Sequence, residues 1–236
     1  MKTVVGVLRS ILDSVRLIAK LARTFWVHGQ GESLKTLTIG DSHAVHFHGY
    51  IQKNNTKNRN VLLWLGPRLM YSIAQNGFGF TFLQKLILRA WNPNLCFIWL
   101  GEIDVRMHLV KHQISGVDQM NWLENYFSQL EDLRHAIGNP KMIVFSPVPQ
   151  SVVITPQIDF PSYGSLLDRI EAQSNLIYKM DTLHKESRFH FNFINVTSAL
   201  QDQEGPLLSE YSDDCCHLNQ NGFENIKVLW EKYLIQ

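Results

Sequence analysis

Residues 37–47 read LTIGDSHAVHF, in which an apolar, β-branched run passes directly into Gly40-Asp41-Ser42 and then into a histidine-rich stretch. An apolar run of this length is typical of a buried strand, and a glycine at its end lets the backbone turn sharply. The tripeptide fits two interpretations: a serine exposed on a tight turn as a nucleophile, or an ordinary turn followed by a helix cap. The rest of the sequence decides between them.

The same pattern recurs along the chain, where apolar runs alternate with longer stretches of helical periodicity. Strands are predicted at residues 34–40, 60–66, 95–101, 141–149 and 189–196, and helices near 67–75, 80–90, 117–137, 163–186 and 221–234. This alternation predicts a parallel five-stranded sheet with helices on both faces, a three-layer α/β/α fold. Gly40, Gly66 and Gly101 end the first three strands. Functional sites in open parallel sheets lie just beyond such strand ends.

Composition narrows the class of protein. The chain has 236 residues, is 45% hydrophobic and 18% charged, and carries a formal net charge of +1. These values are typical of a folded domain and give no electrostatic case for a nucleic-acid partner. Three cysteines are too few for a disulfide framework, which favours a reducing compartment and a cytoplasmic location.

The first 26 residues form a separate basic, amphipathic stretch. Its apolar residues recur near helical spacing, at Val4, Val7, Leu8, Ile11, Val15, Ile18 and Leu21. Charges interrupt each apolar run too early for a signal peptide or a membrane span. Two interpretations remain: peripheral contact with an anionic membrane surface, or packing on the domain or on a second subunit. We therefore divide the chain into an N-terminal helix with its link, residues 1–33, and one domain, residues 34–236.

A candidate partner pair for Ser42 lies near the end of the chain, in DDCCHLNQNGF (residues 213–223). Serine becomes nucleophilic when a base takes its proton and a third group orients that base. In a tight loop, the spacing of Asp214 and His217 lets the carboxylate reach Nδ1 and leaves Nε2 free. Asp213 is an alternative orienting group. Because a polar cap and an amphipathic helix follow, the loop is expected at the same rim as Ser42.

Gly-Asp-Ser after the first strand, together with Asp-x-x-His before the last helix, resembles the SGNH (GDSL-type) hydrolase family over roughly residues 35–236. The resemblance implies a flavodoxin-like fold and an ester- or acyl-hydrolysing site that needs neither metal nor cofactor. Ser42 would be the nucleophile, His217 the general base and Asp214 its orienting carboxylate. The oxyanion hole would use the Ser42 N–H, Gly66 after the second strand, and an asparagine after the third.

The third block departs from the family pattern Gly-x-Asn-Asp, because this chain reads GEIDVRMH at residues 101–108. Ile103 replaces the asparagine, and the loss of one oxyanion donor typically costs ~10²–10³ in rate. The sequence resembles a variant branch of the family with GEID-x-R-x-H. The block fits either a salt-bridged loop or a substrate-binding one. The candidate oxyanion or substrate-binding residues are Gly66, Arg106, Asp104, Glu102 and His43, with Arg68 and His108 as further donors.

Two other chemistries are less consistent with the sequence. His43, His46 and His48 suggest a metal, and Asp41-x-His43 opens like a two-metal phosphoesterase motif, but none of the later motifs of that class follows. The cysteines at 215 and 216 suggest a thiol nucleophile, but a cysteine inside the loop of the base is expected to pack inward. We therefore expect no bound metal and no cofactor.

The sequence as a whole predicts a serine esterase or acyl hydrolase acting on an O-acyl ester of a carbohydrate or another small acyl substrate. A polar rim rich in histidine and aromatic residues suits a glycan ester better than a long alkyl chain. The long proline-rich loop at residues 146–164 could form a wall of the cleft. An O-acyltransferase with the same triad, and a catalytically impaired glycan-binding or scaffold domain, are the alternatives.

Overall fold

Five parallel strands form one sheet in the computed structural model, which describes residues 12–22, 34–54, 58–111, 121–152, 162–186, 188–202, 205–214 and 216–234. The strands are β1 (Lys35–Gly40), β2 (Arg59–Trp64), β3 (Leu95–Trp99), β4 (Lys141–Phe145) and β5 (Phe191–Ile194). Their spatial order is β2-β1-β3-β4-β5. The chain moves outward from β1 to β2 and then crosses to β3, so the switch in direction lies between β1 and β3, where open parallel sheets commonly bind ligands.

Helices cover both faces of this sheet, as predicted. They are α1 (12–22), α2 (Ser42–Asn54), α3 (Met70–Asn76), α4 (Phe82–Trp91), α5 (102–111, with a π-helical turn Asp104–Leu109), α6 (Asn121–Ala136), α7 (Leu166–Lys185), α8 (Thr197–Leu200) and α9 (Gln220–Trp230). The predicted fourth strand ends earlier than expected, at Phe145, because the following prolines cannot donate to a strand ladder. The helix predicted near residues 67–75 begins only at Met70. Helices α2, α5 and α8 lie outside the predicted helix ranges.

The sheet separates two apolar cores. One core contains residues of α1, α3, α4, α5, α6 and α7, and the other contains residues of α2, α8 and α9. Phe47 of α2 is fully buried in the second core and meets Trp99, Phe145 and Trp230 edge-on, with ring centroids 5.3, 5.1 and 5.0 Å away. This aromatic cluster fixes α2 between the sheet and α9, and those two helices flank the candidate site.

Helix α1 packs in part on the domain. Leu17 and Leu21 are buried in the first core, whereas Leu12, Val15 and Ile18 remain 53%, 57% and 50% exposed. Of the predicted apolar stripe, Leu21 is thus buried and Val15 and Ile18 are exposed, whereas the buried Leu17 was not part of that stripe. Residues 1–11 and 23–33 of that region lie outside the described residues. In the part of the chain that the structure describes, no helix is long and apolar enough to cross a membrane.

Candidate active site

The turn between β1 and α2 presents Ser42 at the carboxyl edge of the sheet. Gly40 has φ of +158°, and a Cβ there would lie 2.0 Å from the carbonyl oxygen of Trp99, so only glycine fits against β3. Asp41 Oδ1 accepts the N–H of His43 at 2.9 Å, as a helix-capping carboxylate does. Ser42 therefore is the first residue of α2, directly after the turn that Gly40 and Asp41 form.

The loop before α9 is held by its own hydrogen bonds. Asn219 Oδ1 caps α9 by accepting the N–H of Gly222 at 3.0 Å. Ser212 Oγ lies 2.7 and 2.8 Å from the carbonyl oxygens of Asp214 and His217, which share its single hydroxyl proton. Asp214 Oδ1 accepts the backbone N–H groups of Cys216 and His217 at 2.7 and 2.6 Å. These contacts orient the carboxylate and the imidazole together.

Ser42, His217 and Asp214 form a continuous hydrogen-bonded chain. His217 Nε2 lies 2.8 Å from Ser42 Oγ, and His217 Nδ1 lies 2.6 Å from Asp214 Oδ2. Partial burial acts to raise the pKa of Asp214, but the hydrogen bonds from Cys216 and His217 outweigh it and lower the pKa to about 2. The carboxylate is thus ionised at neutral pH and holds the Nδ1 proton. The alternative Asp213 instead accepts from Asn219 Nδ2 at 3.1 Å.

His43 joins the two loops beneath this chain of contacts. Its side chain is buried, with Nδ1 3.3 Å from Asp41 Oδ1 and Nε2 3.0 Å from the carbonyl oxygen of Cys216. Burial alone would lower the pKa of His43, but Asp41, the charge of Glu102 and the Cys216 carbonyl raise it to about 9. A buried imidazolium with two acceptors therefore ties the nucleophile turn to the loop of His217. His43 therefore shapes the surroundings of Ser42 from the buried side, and a contact of its ring with substrate remains a prediction.

His46 is the residue whose part the sequence did not predict. Its ring stacks on that of His217, with centroids 4.5 Å apart and planes 6° from parallel. Burial, followed by the neighbouring His217 and His43, lowers the pKa of His46, so the neutral ring is favoured. Stacking restricts the rotation of His217. The signal was present, since a residue four positions after Ser42 shares its helix face.

Backbone donors suited to an oxyanion are available at two of the three expected places. Neither the N–H of Ser42 nor that of Gly66 donates a hydrogen bond within the described residues. Gly66 has φ of +71°, and no atom lies within 4 Å of the position that its Cβ would take, so the backbone there faces open space. The third place is occupied by Ile103, which is 8% exposed and has no side-chain donor.

The polar residues of the third block support the fold around the site. Asp104 is fully buried, and its two oxygens accept the N–H groups of Met70 and Tyr71 at 2.8 and 3.1 Å, so it caps α3 and does not face the cleft. Buried Glu102 accepts from Arg106 Nε and Nη2 at 2.8 and 3.3 Å. These contacts match the salt-bridged interpretation of the block. A contact of Arg106 with substrate remains a prediction.

The two further donor candidates also make contacts of their own. Arg68 donates to the carbonyl oxygens of Phe78 and Gly77 at 2.8 and 3.2 Å, which braces the turn after α3. His108 stacks on Tyr71, with ring centroids 5.7 Å apart. Arg68 is therefore occupied within the protein, whereas the Tyr71–His108 pair belongs to α3 and α5, which follow the ends of β2 and β3.

Metal-binding side chains meet at one place in the described part of the chain, where donor atoms of Asp214, Cys216 and His217 all lie within 4.8 Å of one another. His43, His46 and His48 do not form such a group there. Cys215 and residues 153–161 of the proline-rich loop lie outside the described residues, so their predicted roles stay predictions.

Similarity to known proteins is seen at the level of structure. No family model and no curated protein matches this chain. A GDSL-like lipase from Bacteroides thetaiotaomicron VPI-5482 superposes with a TM-score of 0.58 at 13% identity, covering 94% of this chain and 96% of that one. The periplasmic domain of a lipopolysaccharide acetyltransferase from Salmonella ser. Paratyphi A gives 0.53 at 16% identity, covering 93% and 89%.

An acetylxylan esterase from Geobacillus stearothermophilus, solved as a catalytic mutant, gives a TM-score of 0.50 at 13% identity and covers 87% of this chain and 96% of that one. At such identities the similarity establishes the fold. The chain therefore has the three-layer α/β/α fold of the GDSL-type, SGNH-like lipases and esterases.

Proposed function

We propose that this protein is a serine-dependent acyl hydrolase that cleaves O-acyl esters by way of Ser42, His217 and Asp214. The observation that carries the proposal is the unbroken chain of short contacts, 2.8 Å from Ser42 Oγ to His217 Nε2 and 2.6 Å from Nδ1 to Asp214. An ionised carboxylate on Nδ1 leaves Nε2 as the acceptor for the serine proton. The fold is also that of lipases and esterases.

The proposed reaction has two steps. Nε2 of His217 takes the proton of Ser42 as Oγ attacks the ester carbon, and the N–H groups of Ser42 and Gly66 stabilise the oxyanion. The imidazolium then protonates the leaving alcohol, which leaves an acyl group on Ser42. A water molecule attacks that acyl group while His217 takes its proton, and collapse releases the acid and restores the serine.

A small acyl group on a carbohydrate is the substrate that we favour. Trp64, which is 62% exposed, ends β2 two residues before Gly66, and the stacked Tyr71 and His108 lie on the helices that follow β2 and β3. Aromatic faces next to polar groups suit sugar rings. Two structural neighbours, a lipopolysaccharide acetyltransferase and an acetylxylan esterase, are named for acetyl groups on glycans.

Covalent labelling by a small fluorophosphonate, read by intact mass, tests the proposed nucleophile. Wild type should gain one adduct, and Ser42→Ala and His217→Ala should gain none. Circular dichroism and thermal melting show that each variant is folded. An adduct that persists in Ser42→Ala would contradict the assignment. A folded wild type without any adduct would favour a glycan-binding or scaffold domain, in which Ile103 marks a lost oxyanion hole.

Substrate class is then tested with matched esters. We expect release of acetate from acetylated xylo-oligosaccharides to exceed hydrolysis of a long-chain aryl ester at equal concentration. Added alcohol or sugar acceptors separate hydrolase from transferase, because an acceptor that outcompetes water speeds turnover and yields a transferred ester. Preference for the long-chain ester would contradict the carbohydrate assignment and leave the triad assignment intact.

A further inference from the structure

The loop that carries the proposed base also brings together three metal-binding atoms of different types. A carboxylate oxygen of Asp214, the Sγ of Cys216 and an imidazole nitrogen of His217 lie within 4.8 Å of one another. We propose that these three residues form an inhibitory Zn²⁺ site, and that zinc bound there switches off the serine. The inhibition rests on the proposed function, whereas the metal binding does not.

One separation in the cluster is near the value expected for zinc, and the thiol must turn toward the Nδ1 edge of the ring to bind, because Sγ also lies 3.9 Å from Nε2. Bond lengths of about 2.3 Å to sulfur and 2.0–2.1 Å to nitrogen, at tetrahedral angles, place the two donors about 3.5 Å apart. Cys216 Sγ and His217 Nδ1 are 3.6 Å apart. The Asp214 oxygen lies 2.6 Å from Nδ1, so that hydrogen bond must open by less than about 1 Å for the ion to take the place of the shared proton.

The cluster can be reached from solvent. The side chains of Asp214 and His217 are 47% and 21% exposed. The neighbouring Cys216 is buried, with only 9% of its surface exposed. Three protein donors on an open loop leave the fourth position of a tetrahedral ion for water. A thiolate and an imidazole select zinc over Mg²⁺ or Ca²⁺, which prefer oxygen ligands. Binding releases the proton of the Cys216 thiol.

Occupation of this site removes the base. Zinc on Nδ1 requires the other tautomer of the neutral ring, so the single proton that Asp214 held on Nδ1 is carried on Nε2 instead. That nitrogen faces Ser42 Oγ at 2.8 Å and can then only donate to it. The serine keeps its proton, and the acyl transfer described above cannot start.

Zinc affinity is measured on the full-length protein by competition with a chromophoric zinc chelator, which requires no enzyme activity. Wild type should bind zinc at this site, and Cys216→Ala should weaken that binding by at least about tenfold, since even the partners of metal ligands contribute that much. Cys215→Ala is the matched control, because it removes the adjacent thiol and leaves the three donors in place. Equal affinity in Cys216→Ala and wild type, or loss of binding in Cys215→Ala alone, would overturn the assignment.

Inhibition is measured as the rate of fluorophosphonate labelling in zinc, relative to each variant's own rate without zinc. Zinc should slow labelling of wild type and of Cys215→Ala, Mg²⁺ at the same concentration should not, and a chelator should restore the rate. Zinc that binds without slowing labelling would refute the inhibitory role. If wild type shows no labelling even without zinc, the proposed function fails, and the competition measurement still decides the metal site.

Discussion

Replacement of Asp214 by asparagine isolates the orienting carboxylate from the rest of the loop. The amide oxygen of asparagine can still accept the N–H groups that Asp214 Oδ1 accepts at 2.6 and 2.7 Å, so the loop should keep its shape. In wild type, His217 Nδ1 lies 2.6 Å from Asp214 Oδ2. In the variant the NH₂ group takes the place of that oxygen, so Nδ1 must accept a hydrogen bond from it. The ring proton then moves to Nε2, opposite Ser42. The equivalent substitution in a Ser-His-Asp protease costs about 10⁴ in rate, and we expect a loss of that order.

The effect on folding should be small by comparison. Since the Asp214 side chain is 47% exposed, solvent limits the contribution of its hydrogen bond with His217 to about 1 kcal/mol or less. The assay is the pseudo-first-order rate of fluorophosphonate labelling, followed by intact mass, with a thermal melt of the same sample. Asp213→Asn is the matched control, because its amide oxygen can still accept from Asn219. Labelling of Asp214→Asn at the wild-type rate, or loss of labelling in Asp213→Asn, would refute the reasoning.

Three further predictions concern stability. Gly40→Ala should destabilise the fold far more than Gly66→Ala, because the alanine Cβ at position 40 would lie 2.0 Å from the Trp99 carbonyl oxygen. At position 66 only the left-handed backbone conformation costs free energy, about 1–2 kcal/mol. Denaturant unfolding of both variants measures the two losses, and equal losses would contradict the prediction. Phe47→Ala should cost about 3–5 kcal/mol in urea unfolding, since it empties the centre of an aromatic cluster, and a loss below about 1 kcal/mol would mean that the cluster does not hold α2. Burial raises the pKa of Asp104 from its ordinary 3.8 to about 7, so its contribution to stability is complete below pH 4 and is lost as the pH rises through 7. The unfolding free energy of wild type relative to Asp104→Asn should therefore fall between pH 4 and 7, by up to about 1.4 kcal/mol per pH unit, and a difference that rises with pH would contradict burial as the cause of the raised pKa.

The strands were predictable because a strand buried on both faces must be a near-continuous apolar run, and such runs stand out between helical stretches. All five strands and the three-layer arrangement follow from this and are confirmed. Helix α5 was missed because residues 102–111 carry two acids, an arginine and a histidine and show no clear apolar period. Local patterns do not record which strands pair, so the strand order rested on the family resemblance, whose flavodoxin-like fold implies the order found.

For the candidate site, too, local sequence patterns predicted some features and long-range contacts set the others. The order of Gly-Asp-Ser and Asp-x-x-His along the chain pointed to Ser42, His217 and Asp214, and the structure places these side chains within hydrogen-bond distance. Their catalytic roles remain predictions. The hydrogen-bond partners of His43 and Asp104 could not be predicted from the sequence. A polar residue at a strand end gives the same sequence pattern whether its side chain faces a cleft or a buried partner.

The sequence by itself determined the elements and the chemical groups, since both depend on residue type and on spacing over a few positions. Only the tertiary structure decided which groups meet. His43 and Cys216 are 173 positions apart in sequence, and packing of α2 and α9 on the sheet brings them together. That closure buries one histidine as a cation, stacks a second on His217, and leaves the Ser42 and Gly66 N–H groups without partners in the described residues. Burial and long-range contact, which set these charges and hydrogen bonds, are properties of the folded chain and not of its local sequence.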